Sequence, residues 1–173
     1  MKKVLRFLPL LFISGCLGYP ETVTPITGFQ LENYLGTWYE IARLDHSFER
    51  GLSNVTAEYS LRDDGGVKVV NRGFSAEKGT WKEATGRAYS VESEDIGYFK
   101  VSFFGPFYGS YVIFDLDPEA YSFVCGNDTS YAWFLSRTPT VSEEMKKHFI
   151  EMIEPLGFNS EKLIWVYQDK NFD

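Results

Sequence analysis

Cysteine and histidine are scarce in this chain of 173 residues, with two of each. Two cysteines cannot build the dense disulfide framework of a small secreted scaffold, so a core must hold the fold together. No Cys/His metal spacing, Gly-x-Ser-x-Gly elbow or phosphate-binding glycine loop occurs, which removes the common signatures of zinc sites, serine hydrolases and nucleotide enzymes. His46 and His148 are the only neutral-pH bases. One sits in a loop and the other in a helical stretch, remote from any partner in sequence. No cofactor is expected. Internal repeats and low-complexity tracts are absent, and the longest apolar run, Val4 to Ile13, is too short to span a bilayer.

Positive charge is also in short supply, at 17 Lys and Arg against 24 Asp and Glu. Lys2, Lys3 and Arg6 open the chain before the apolar run, and together they read as a secretion signal over residues 1–15. That region carries three basic residues and no acid, so its removal takes the net charge from −7 to about −10. Such a balance disfavours nucleic acid and anionic lipid surfaces as partners. Ile13-Ser14-Gly15-Cys16 resembles a bacterial lipobox, in which Cys16 is acylated and becomes the new N-terminus. Leu17, where Asp would retain a lipoprotein at the inner membrane, directs the expectation to the outer membrane, facing the periplasm. Attachment would then come from acyl chains and not from a basic patch. Residues 16–27 read as the lipidated N-terminus and an extended Pro/Thr-rich tether, and residues 28–173 as one domain.

What the chain has in plenty is aromatic residues, 17% of the total, set in short alternating segments. The pattern predicts strands at 37–44, 54–62, 67–75, 80–91, 98–104, 110–116, 120–125 and 131–137, separated by turns such as Asp63-Asp64-Gly65-Gly66. Residues 104–109 read as a rigid apolar loop. The fold class is all-β, an eight-stranded up-and-down antiparallel barrel. The period then changes to near 3.6. Thr140 with Glu143 reads as a capping box, and Val141, Met145, Phe149, Met152, Ile153 and Leu156 form an apolar stripe. This C-terminal α-helix should pack outside the barrel, followed by a short final strand at 163–167.

Gly36-x-Trp38-Tyr39 near the start, Trp133-x-x-Ser136-Arg137 late in the chain and the helix after it resemble the lipocalin family. Gly36-Thr-Trp-Tyr-Glu-Ile-Ala-Arg43, Tyr59-Ser-Leu-Arg-Asp-Asp-Gly-Gly66, Val101-Ser-Phe-Phe-Gly-Pro-Phe-Tyr-Gly109 and Leu135-Ser-Arg-Thr-Pro139 are similar to its bacterial outer-membrane lipoprotein members. Where many lipocalins carry Thr-Asp-Tyr, this chain has Leu116-Asp117-Pro118. Gly36, Trp38 and Arg137 are read as fold-closing, with the guanidinium over the indole.

Alternation nominates the lining of the barrel: Ala57, Tyr59, Val69, Asn71, Gly86, Ala88, Phe99, Val101, Phe103, Tyr111, Ile113, Tyr131 and Trp133. Small residues on one side facing large ones on the other fit either an interdigitated core or a cleft. The resemblance implies the cleft, a calyx that takes a fatty acid or lysophospholipid non-covalently, for storage, transport or envelope repair. Phe48, Phe104, Phe107 and Tyr108 fall on loops at one end and are candidates for an apolar mouth that admits a lipid tail or meets a partner. A homodimer through that rim is compatible with the same residues. Glu40 shares parity with Trp38 and Ala42 and so points inward, to be satisfied by a tyrosine or Asn71 or to meet a headgroup. Three rival readings stay open: an enzyme using an inward Cys125 thiol, a tetrapyrrole carrier with His46 as axial ligand, and an envelope lipoprotein with a filled barrel. Cys125 otherwise reads as a small buried apolar residue.

Overall fold

The computed structural model describes residues 17–170. The lipobox and Cys16 therefore lie outside the described residues. A short helix α1 (Leu31–Tyr34) precedes eight antiparallel strands: β1 (Gly36–Leu44), β2 (Leu52–Leu61), β3 (Val67–Ser75), β4 (Thr80–Ser90), β5 (Tyr98–Phe104), β6 (Phe107–Asp117), β7 (Tyr121–Cys125) and β8 (Ala132–Ser136). Helix α2 (Glu143–Ile153) and a ninth strand β9 (Leu163–Trp165) follow. Each strand pairs with its neighbour in sequence, β8 pairs with β1, and β1 pairs with β2, which closes the barrel.

Two apolar layers result. One fills the barrel interior around Trp38, Tyr59, Val69, Phe99, Ile113 and Leu135. The other lies between the outer wall and α2, around Phe123, Phe134, Phe149 and Ile153, and takes up the predicted helical stripe. Cys125 belongs to this outer layer, fully buried, and burial pushes its thiol up to about 12.

Several expectations change. The helix begins two residues later than the capping-box reading: Ser142 is the N-cap and accepts from the Met145 amide, while the Thr140 carbonyl is taken by the Thr138 hydroxyl. The loop expected over residues 104–109 is a tight turn at Gly105 and Pro106, with β6 already running from Phe107. Tyr131 stands just ahead of β8 instead of opening it. α1 was not expected at all, because four residues carry too little periodicity to show.

Residues 17–27 turn once, at 21–22, and do not hang free as a tether. The Gly18 amide donates to the Tyr98 hydroxyl, Tyr19 packs edge-on to Tyr98, Val23 is buried, and Thr27 bridges to Ile96. Pro and Thr lower helix propensity without preventing docking, and a composition-based reading cannot tell a solvated extended strand from a packed one.

Candidate functional site

The connections after β2, β4 and β6 share one end of the barrel with α1, and that end is closed. Arg137 stacks 3.8 Å over the Trp38 ring and donates to the carbonyls of Asn33, Leu35, Thr37 and Pro118, stitching three segments together. Gly36 permits this with a φ of +91°, a backbone conformation that L side chains rarely adopt. The Trp38 indole donates to the Tyr34 carbonyl, which fastens α1 beneath the barrel.

Above α1 lies a floor of phenols. Tyr111 Oη is 2.6 Å from Tyr34 Oη and 2.9 Å from Tyr59 Oη, and Tyr34 also meets Ser122 Oγ at 3.0 Å. Burial pushes Tyr34 up to about 12 and raises Tyr59 and Tyr111 well above the usual range, so all three stay neutral hydrogen-bonding groups. The void left among them is only about 20 Å³, room for a water-sized molecule and no alkyl chain. Ala57, Tyr59, Val69, Ala88, Phe99 and Ile113 are buried at or near this level. The lower half of the expected calyx is therefore packed solid.

Nearer the mouth the lining changes. Cross-strand register puts Asn71 between Ala57 and Ala84, Gly109 beside Val101 and Trp133 beside Val124, so these residues face the interior. Yet Asn71, Val101, Phe103, Tyr131 and Trp133 are only half-buried, and Ala84 is exposed. Solvent thus reaches inward side chains in this upper part of the barrel. Gly86 sits where a Cβ would lie 2.8 Å from the Phe103 ring, so its lack of a side chain seats that ring against β4. Asn71 Oδ1 has no hydrogen-bond partner among the described residues.

One wall of the lumen is charged, which sequence reasoning largely missed. A register shift between Glu40 and Ala42 turns Ala42 to the outer layer and Arg43 inward, against the simple parity that kept Ala42 with Trp38. The hydropathy of β1 cannot show this, since the interior covers one face and the layer under α2 the other. Arg43 Nη1 donates to Glu40 Oε1 at 2.6 Å, so the partner of Glu40 is Arg43 and not a tyrosine or Asn71. Arg43 Nη2 donates to the carbonyls of Glu49 and Leu52. Burial, then the nearby Glu49 carboxylate, raises Glu40 well above the usual carboxylate range despite Arg43.

His46 lies in the loop after β1 yet is buried, its ring stacked 3.9 Å from Phe48 and its Nε2 2.9 Å from Glu49 Oε2. Trp133 Nε1 donates to the same Glu49 oxygen at 3.1 Å. A ring sandwiched and faced by a carboxylate gives no support to His46 as a haem ligand. The outward, buried position of Cys125 likewise gives none to a thiol acting inside the calyx. At the rim, Phe48, Phe104 and Phe107 are exposed. Tyr108 is not part of that lip: it lies on the outer wall, where Arg87 Nε donates to its hydroxyl and Lys100 Nζ sits 5.4 Å from its ring.

Comparison with known proteins follows the same lines. The model of the lipocalin-like domain matches residues 29–168. The outer membrane lipoprotein Blc of Vibrio cholerae is 59% identical over 97% of this chain and 99% of its own. The protein of that name from Escherichia coli is 51% identical over 86% of this chain and 85% of its own. Among solved structures, insecticyanin from the tobacco hornworm Manduca sexta superposes with a TM-score of 0.68 at 21% identity, covering 90% of this chain and 87% of that one. This last likeness bears on the fold alone.

Proposed function

We propose that this chain, which belongs to the lipocalin-like family, is an outer-membrane lipoprotein that carries one fatty acid or lysophospholipid in the upper half of its barrel. The observation that carries the reading is the contrast between the sealed phenol floor and the solvent-reached aromatic wall above it. An acyl tail would lie against Val101, Phe103 and Trp133, removing their remaining apolar surface from water. Its polar end would stay near the mouth, within reach of the Asn71 amide. Residues 1–15 would be removed, and Cys16 acylated, in keeping with the name shared by the bacterial relatives. Storage, transport and membrane repair are all compatible with such a carrier.

Displacement of a fluorescent fatty acid by natural lipids tests this. Ala84 points inward and is exposed, so Ala84→Trp would place an indole in the lumen without disturbing the floor. Affinity should fall about tenfold or more with unfolding midpoints unchanged, tail contacts each being worth ~0.8 kcal/mol per CH₂. Unchanged affinity in that variant would place the ligand elsewhere or remove it.

A further inference from the structure

The upper part of β4 places a cation where alternation calls for a lining residue. Register with β3 runs unbroken here, so that Ala88, Gly86, Ala84 and Lys82 stand opposite Val67, Val69, Asn71 and Gly73 in turn. Ala88 belongs to the packed interior, and Lys82 shares its parity, so Lys82 takes the inward face of the sheet. Its neighbours in sequence occupy the other face. Glu83 accepts from Arg72, which also donates to Glu58, and Trp81 lies edge-on to Phe74, over whose ring Lys170 rests. Across from Lys82, a Cβ on Gly73 would lie 3.1 Å from Leu52 and 3.2 Å from Val55, so two apolar side chains cover β3 at that level.

The barrel wall is also tall at this point. β5 pairs with β4 only from Arg87 to Ser90, whereas β3 and β4 stay paired as far as Ser75 and Thr80. Lys82 therefore stands ~16 Å along β4 beyond the last rung shared with β5, at ~3.3 Å per residue. Among the described residues of β1 to β8, Arg43 and Lys82 are the cations of inward parity. Arg43 is buried and held by Glu40 and the carbonyls of Glu49 and Leu52, while Lys82 is exposed at the opening.

We propose that Lys82 is the headgroup-recognising residue of the calyx: its ammonium meets the anionic group of the bound lipid, a carboxylate or a phosphodiester, while the acyl chain runs down past Ala84 toward Phe103. The proposal rests on the carrier reading above. Ala84 and Gly86 project almost nothing from inner β4, so a chain lying there meets little bulk between the cation and the Phe103 ring. Asn71, across from Ala84, puts an amide between the two, and its Oδ1 has no hydrogen-bond partner among the described residues. A cation at this height favours an anionic lipid over a neutral one of equal length, in a chain whose net charge of −7 otherwise repels anions.

Displacement of the fluorescent fatty acid from the purified chain tests this, with a fatty acid, a lysophosphatidylglycerol and a fatty alcohol of one chain length as competitors. Each affinity is corrected for that of the probe in the same variant. Lys82→Ala should weaken one or both anionic lipids about threefold and Lys82→Glu about tenfold, with the alcohol unchanged and Lys82→Arg like the parent. Loss confined to the fatty acid assigns a carboxylate to Lys82, and loss confined to the lysophospholipid assigns a phosphodiester. Added salt should narrow the gap between the parent and Lys82→Glu. An equal loss for acid and alcohol makes the role of Lys82 structural and overturns the proposal, as does unchanged affinity for both anionic lipids in Lys82→Glu. Ala84→Trp, measured alongside, separates the two readings. If it weakens all three lipids while Lys82→Glu weakens none, the carrier reading stands and the headgroup assignment falls; if no lipid displaces the probe from the parent, both fall.

Discussion

At the scale of single residues, charged side chains that tie separate segments together decide the most. Arg137 satisfies four carbonyls from three segments and covers Trp38, so Arg137→Ala should cost ~3 kcal/mol in urea unfolding, and Arg137→Lys should recover little of it. Glu40 behaves differently. Its carboxyl is raised above the ordinary 4.5, so above that pH the folded state holds a proton that the unfolded state has released. Stability contributed by this group is thus lost as pH rises from about 4.5 through the folded value, with a slope of at most ~1.4 kcal/mol per pH unit. Glu40→Gln should flatten that descent, a difference read from unfolding curves taken across the acid-to-neutral range. The hydropathy of β1 suggested an inward Glu40 but could not supply Arg43, because the register shift between them is invisible in a strand buried on both faces.

At the scale of elements, the C-terminal segment does more than cover an edge. β1 pairs with β2 only from Gly36 to Tyr39, and above that β9 takes the place of β2 along Ala42 to Leu44. The seam is bridged by Gln168, whose Nε2 donates to the carbonyls of Glu40 and Val55. Asn54, at a φ of +53°, accepts from the amides of Asp169 and Lys170 through its side chain. Asn54→Ala should cost ~2–3 kcal/mol, losing those bonds and straining the backbone. Asn54→Gly relieves the strain and should cost about 1 kcal/mol less than Asn54→Ala, a ranking that thermal unfolding of the pair would check. Strand positions were legible from alternation, and so was the helix from its stripe. α1, the docked residues 17–27 and the split seam were not, because each depends on contacts across the chain instead of local period.

At the scale of the whole molecule, the barrel is two devices stacked end to end, a solid base and an open cup. If the cup holds lipid only in the folded state, binding must raise stability by mass action, ~2.7 kcal/mol at a ligand concentration one hundred times the Kd. A fatty acid should therefore shift the melting transition upward in a concentration-dependent way, and Ala84→Trp should need about tenfold more ligand for the same shift. Six of the thirteen candidate lining residues are buried at or near the packed base. Ala57, Tyr59, Val69, Ala88, Phe99 and Ile113 alternate just as Asn71, Val101 and Phe103 do, so alternation reports which face a residue takes and not the depth at which it stands.

The amino-acid order alone determined the number of strands, their sequential pairing and the Trp38 and Arg137 closure, because period-two hydropathy and turn chemistry are local properties that any closed sheet must respect. Only the tertiary structure decided where the barrel interior is closely packed and where solvent reaches it, and that Arg43 is the partner of Glu40. Those outcomes depend on register and on which side chains meet after closure, and distances between residues far apart in sequence exist only once the chain has folded.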